Sequence, residues 1–181
     1  MMGNRANVVF VNAAGDEVSP GIYLHWNGGP ESVYPFLDEL DRRQVRADQC
    51  YEAARFAQLI GEYFDHDNAT ADGPGRQTGL SLGLFNVPAD KADDVAKSIA
   101  RLTDVSDNGL YLVCRERGSN PKRTVRRFAY YYRGRGEPDT IHEATEPAVE
   151  SERKAAFLHE YRPGIEKAFK EIANGRVPEG N

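Results

Sequence analysis

Cysteine is scarce in this chain: Cys50 and Cys114 are the two among 181 residues. That is too few for a disulfide scaffold. Both stand among apolar neighbours, as buried thiols do, so a reducing cytoplasm is the expected compartment. No apolar run reaches the roughly 18 residues that would span a bilayer, and no membrane partner is expected. Residues 1–17 lack the long apolar core of a secretory signal and turn acidic early. Catalytic signatures are missing too. There is no Gly-x-Ser-x-Gly elbow and no cysteine–histidine motif, so no catalytic residue is assigned. The segment 73–79, GPGRQTG, is rich in glycine but lacks the Gly-Lys-Ser/Thr ending of a phosphate loop, and it precedes a strand-like run rather than a helix. Asp65-His66-Asp67 has no second ligand cluster in the sequence, and neither metal nor other cofactor is expected.

What is present fits a globular protein. The hydrophobic fraction is 40% and the charged fraction 28%, values of a packed chain rather than a disordered one. The length suits a single domain over 1–181. Residues 7–12 and 21–26 read as a hairpin with its loop at 14–17. A first helix follows, with Ser32 preferred as its cap, which puts Pro35 in the first turn. Asp48 can cap a second helix, whose buried face would be Cys50, Ala53, Ala54, Ala57, Ile60 and Phe64. Residues 68–79 read as a flexible loop and 80–87 as a central strand. Asp90 opens a third helix. Residues 110–117 and 124–133 form the strongest hairpin signal. Residues 134–146 read as a Gly/Pro/acid-rich connection. A last helical region runs from about 147, is interrupted at Pro163-Gly164, and stops at Asn174-Gly175; 176–181 fray. The order ββαα-βα-ββ-α predicts an α+β domain, with a largely antiparallel sheet and helices mainly on one face.

One stretch stands out, GIYLHWNGGPESVYPFLDELD at 21–41. An apolar run enters His25, the single tryptophan Trp26, and Asn27; a Gly28-Gly29-Pro30 turn follows. Val33, Phe36, Leu37 and Leu40 then recur at helical spacing. An imidazole, an indole and an amide at a strand end form a candidate binding corner, and His25 could act as a base near neutral pH. The alternative reading packs Trp26 beneath the helix, with His25 and Asn27 satisfying turn groups.

The text YLHWNGGPE resembles the strand-end box His-Trp-Asp-Gly-Tyr-Pro of an uncharacterised family from phages and integrative mobile elements of bacteria. Asn27 stands where the box has its acid, and Gly29 where it has tyrosine. The resemblance implies an accessory protein of mobile DNA. Proteins of that setting include inhibitors of host defence systems, anti-CRISPR proteins among them, which bind a nuclease complex.

Charge is unevenly spread. Residues 115–135 hold eight basic residues against Glu116 alone, a net +7, which leaves −12 on the rest of a chain whose total is −5. Arg115, Arg117, Lys122, Arg123, Arg126 and Arg127, with Tyr130 and Tyr132, are candidate binding residues. Arginines interleaved with aromatics stack bases and neutralise phosphates, and they also make protein hot spots. The competing reading has these arginines bridge to the chain's own acids. The acids at 38–41, 62–67 and 90–94 could mimic nucleic acid, although such charges usually just solvate helix faces. The leading expectation is therefore a non-enzymatic binder of a protein partner, a host defence complex in the setting the resemblance implies. A nucleic-acid binder using the ribbon at 115–135, and an enzyme using His25, are the alternatives.

Overall fold

A computed structural model describes residues 5–15, 17–69, 80–83, 108–116, 122–131, 140–144 and 161–175; for 67–69, 80–83, 129–131, 140–144 and 161 it describes the backbone alone. The elements in order are β1 (Ala6–Val11), β2 (Gly21–Leu24), α1 (Pro30–Arg42), α2 (Gln49–Ala69), β3 (Leu80–Gly83), β4 (Leu110–Arg115), β5 (Arg123–Tyr131), β6 (Thr140–Ala144) and α3 (Tyr161–Ala173). The fold is α+β.

The strands form one sheet in the order β3-β2-β1-β4-β5-β6. It is mixed, not the largely antiparallel sheet expected, because β1 and β4 at its centre run parallel, with Val8 opposite Tyr111. Parallel neighbours need a long crossover, and the chain between β1 and β4 supplies one. Hydrophobic alternation identifies strands but not their direction, so the sequence held no sign of this pairing.

Alternation along β1 splits the core. Ala6, Val8 and Phe10 face α1, α2 and α3, where they join Val33, Phe36, Leu37, Phe56, Ile60, Ile165 and Phe169. Phe36 is the hub. Its ring meets Phe56, Tyr63 and Phe169 at centroid distances of 6.5, 5.1 and 6.2 Å, all edge-on. Burying one such ring contributes about 1.5–3 kcal/mol. The opposite face of the sheet gathers Val9, Val11, Leu110, Leu112 and Phe128 into a second cluster.

Several expectations change. Helix α1 starts at Pro30, with Gly29 rather than Ser32 as its cap residue, because proline at the first position arrives with helical φ already set. Pro35 accordingly falls in the second turn. Asp48 does precede α2, and its carboxylate accepts a bond from the Tyr51 N–H at 3.2 Å. The buried face of α2, however, follows its large apolar side chains: Phe56, Leu59, Ile60 and Tyr63 point inward while Cys50 and Ala54 are exposed. Cys50 is thus not a buried thiol; Cys114 is half-buried, and burial pushes its pKa up. Strand β3 lies beside β2 at the end of the strand order, not at the centre. Part of the expected connection at 134–146 is strand β6, paired with β5. Helix α3 runs through Pro163-Gly164 without a break and closes where expected: Gly175 takes φ 65° and its N–H reaches the Ile172 carbonyl. The loop expected at 68–79 (beyond Ala69), the helix from Asp90 and the helical start near 147 lie outside the described residues.

Candidate functional site

The corner after β2 is built by backbone constraints on both sides. Asn27 adopts φ 58°, a left-handed conformation that asparagine tolerates better than most residues. A Cβ on Gly28 would lie 2.5 Å from the Ala6 nitrogen and 2.6 Å from the Arg5 carbonyl carbon. Glycine is therefore required for the turn to press against the start of β1. Pro30 then begins α1. Asn27 owes its place to conformation as much as to its amide.

These constraints turn the rings outward. His25 is exposed and Trp26 keeps 38% of its surface. The His25 and Trp26 rings meet edge-to-face, 4.8 Å between centroids. Tyr23, half-buried on the sheet face away from α1, places its hydroxyl 3.4 Å from His25 Nδ1. Trp26 is therefore not a member of the buried cluster beneath the following helix. Tyr23, His25 and Trp26 make one aromatic patch with two polar edges. Sequence reading missed Tyr23, although its position two residues before His25 on a strand puts both on one side.

The arginine ribbon is arranged the other way. β5 lies between β4 and β6, so it is no edge. Register sorts its side chains: Arg115 lies opposite Arg123, and Tyr111 opposite Arg127, all on the helix-bearing face. Arg115 is 3% exposed. Its Nη1 donates to Glu52 and to the Val45 carbonyl, each at 2.8 Å. Its Nε sits 2.8 Å from an Asp41 oxygen, an ion pair off the line of a hydrogen bond. Arg123 donates to Asp41 at 2.6 Å and to Asp38 at 2.7 Å. Arg162 on α3 completes the chain by donating to Asp38 at 2.8 Å. Arg127 is buried, lies 5.5 Å over the Tyr111 ring, and donates to the Asn108 carbonyl.

Arg115, Arg123 and Arg127 are thus internal, which corrects their place among outward-facing binding residues. For Arg115 and Arg123 the physical reason is charge matching, since Asp38, Asp41 and Glu52 sit on the helices laid over this face and meet their guanidinium groups; Arg127 is held by the Tyr111 ring and the Asn108 carbonyl. Arg126 is half-buried on the opposite face, 5.2 Å over the Phe128 ring. Lys122 is exposed. The Tyr130 side chain, Arg117 and Tyr132 lie outside what is described. The spacing of Asp38 and Asp41, three residues apart on one helix, was the readable sign of a pair aimed at the same target.

The network divides its carboxylates electrostatically. Burial pushes Asp38 up, but hydrogen bonds from Arg123 and Arg162 outweigh it and hold its carboxyl below the ordinary value. Glu39 is lowered likewise, burial being outweighed by Arg42 and Arg43. For Asp41 and Glu52 burial wins, and both are raised despite Arg123 and Arg115 beside Asp41 and Arg115 beside Glu52.

No protein-family model matches the chain, and no curated protein or solved structure matches it either. At the carboxyl ends of the parallel strands β1 and β4 lies a hollow of about 320 Å³, bordered by Glu17, Gln49, Glu52 and Arg115. Its polar groups satisfy one another: Gln49 donates to Glu17 at 2.7 Å and Arg115 to Glu52. Among the described residues no group of three or more His, Cys, Asp or Glu side chains could hold a metal, and no helix is long and apolar enough to cross a membrane.

Proposed function

We propose that this protein acts by binding a protein partner, without chemistry of its own, and that the Tyr23–His25–Trp26 corner is the contact. The carrying observation is the exposed, edge-stacked Trp26 held on a turn that Gly28 pins to β1. Tryptophan and tyrosine dominate interface hot spots, because a rigid ring buries large area at little entropic loss. The setting in this reading is the bacterial cytoplasm and mobile DNA, with a host defence complex as the partner. It is supported by the resemblance of HWNGGP to the strand-end box of phage and integrative-element proteins.

Direct nucleic-acid binding by the ribbon is the weaker reading. Three of its arginines are engaged inside the molecule, and each phosphate contact would need a free cation. The test is affinity capture from bacterial host lysate with three forms of the protein: wild type, Trp26→Ala, and Lys122→Glu with Arg126→Glu. A companion protein lost with Trp26→Ala and kept by the charge-reversed form supports the corner. The reverse pattern, or capture of nucleic acid with steep salt dependence, overturns it.

A further inference from the structure

Beyond the corner, we propose a second binding site, for an oxyanion (phosphate or carboxylate), in the pocket where α1 ends and α2 begins. The hollow measures about 420 Å³, and its polar lining is Arg43, Gln44, Arg46, Tyr51, Arg55 and Gln58. Three guanidinium groups, two amides and a phenol can all donate hydrogen bonds, and no carboxylate is among the lining residues. In a chain with more acids than bases, such a pocket is selective by composition. Leu40 and Val45 add an apolar wall.

The three arginines are committed to different degrees. Arg43 is spoken for: it donates to Glu39 at 2.8 Å and Glu62 at 2.7 Å. Arg46 is 71% exposed and reaches Asp48 only at 3.5 Å. Arg55 has no carboxylate partner among the described residues. Its Nη1 donates to Gln58 Oε1 at 2.6 Å, and its Nη2 to the Tyr51 hydroxyl at 3.0 Å. Gln58 in turn donates to Glu62 at 3.1 Å, which fixes its oxygen toward Arg55. The guanidinium lies 5.1 Å from the Tyr51 ring centre, and that ring is 44% exposed.

Arg55 is therefore oriented by two neutral groups while its charge stays unmatched. That differs from Arg115 and Arg123 of the ribbon, which are oriented by the carboxylates that neutralise them. A planar guanidinium held by neutral neighbours is prepared for a bidentate oxyanion. Gln44, at φ 52°, takes the left-handed conformation that turns the chain beside the pocket. The volume exceeds what one phosphate needs, so the ligand class is a larger oxyanion, a diphosphate or a polycarboxylate, part of which rests on Tyr51, Leu40 and Val45.

Isothermal titration calorimetry on the full chain tests this, with inorganic pyrophosphate and citrate as probes. The expected result is saturable binding of at least one probe. Arg55→Gln should weaken it by about tenfold or more, since a charge-assisted bond is lost; Arg46→Gln should weaken it less. Lys167→Gln, an exposed cation on α3, should leave it unchanged. Tighter pyrophosphate assigns a phosphate source, and tighter citrate a carboxylate one. Arg55 is exposed and its variant keeps the fold, which circular dichroism checks. No binding of either probe at millimolar concentration, or equal weakening by Lys167→Gln, overturns the site. Failure here leaves the Trp26 corner untouched, because the two sites share no residue.

Discussion

Arg115 closes β4 with 3% of its surface exposed, and Trp26 follows β2 with 38% exposed. Each is placed against its residue type, a charge inside and the largest ring outside. The difference lies in what surrounds them. Arg115 meets Glu52, Asp41 and the Val45 carbonyl, which offset most of its desolvation, while its Nη2 finds no hydrogen-bond partner among the described residues. Trp26 meets the His25 ring at right angles and leaves 38% of its surface open. A misplaced group that the fold itself satisfies explains architecture, because the Arg115 network ties both helices to β4. A misplaced group left at the surface points outward, to another molecule.

The largest expected effect breaks the first half of that contrast. Arg115→Ala leaves Glu52 and an oxygen of Asp41 buried without their cation, and removing one member of such a pair costs about 3–5 kcal/mol. Urea unfolding followed by circular dichroism measures it. A loss below about 1 kcal/mol would mean that the network is incidental. Gly28→Ala comes next. Its Cβ would fall 2.5 Å from backbone of β1, and the required shift costs about 1–3 kcal/mol. It should also move the corner, so the intrinsic fluorescence of Trp26 changes along with the unfolding midpoint.

A pH series sharpens the ribbon half, because its acids have opposite signs. Asp38 and Glu39 titrate below their ordinary 3.8 and 4.5 in the folded state. Their stabilisation is full above those values and is lost as pH falls through the lower folded ones. Asp41 and Glu52 titrate above 3.8 and 4.5. Their contribution is full below those values and is lost as pH rises through the higher folded ones. The advantage of wild type over Asp38→Asn should therefore shrink as pH drops below about 4. Relative to Glu52→Gln, wild type should lose ground as pH climbs above about 4.5. Urea midpoints between roughly pH 3 and pH 8 read both slopes, and slopes of the same sign would refute the division.

Much of this architecture was readable because it rests on local signals. The period of Val33, Phe36, Leu37 and Leu40 placed α1, apolar runs beside turn residues placed β1 and β4, and Asn174-Gly175 marked the end of α3. What could not be read depends on which elements meet. The direction of β4 against β1 leaves no trace in either strand's pattern. The fate of the ribbon arginines turns on whether Asp38, Asp41 and Glu52 face them, a fact of helix placement rather than composition. Charge counting favoured an open cationic surface, while the register of β4 against β5 put Arg115, Arg123 and Arg127 beneath the helices. The corner was legible as a place, from strand to Gly-Gly-Pro to helix. Its outward turn was not, because that follows from Asn27's left-handed backbone and the Gly28 contact with β1.

The smallest effect on stability is expected where binding matters most. Trp26 gives up little on truncation, since the turn is fixed by Asn27, Gly28 and Pro30 and not by the indole. Trp26→Ala should therefore shift the unfolding free energy by about 1 kcal/mol or less. Its effect on the captured partner should be out of proportion, on the order of 2 kcal/mol or more, as for a hot-spot tryptophan. His25→Ala and His25→Phe together separate the two roles of that ring. If the imidazole only steadies the indole, His25→Phe, which keeps a ring there, binds nearly as wild type does. If its nitrogen also bonds the partner, His25→Phe loses affinity as His25→Ala does. A Trp26→Ala protein that unfolds far more easily than wild type would place the indole among the fold's own supports, and the corner would then resemble Arg115 in kind.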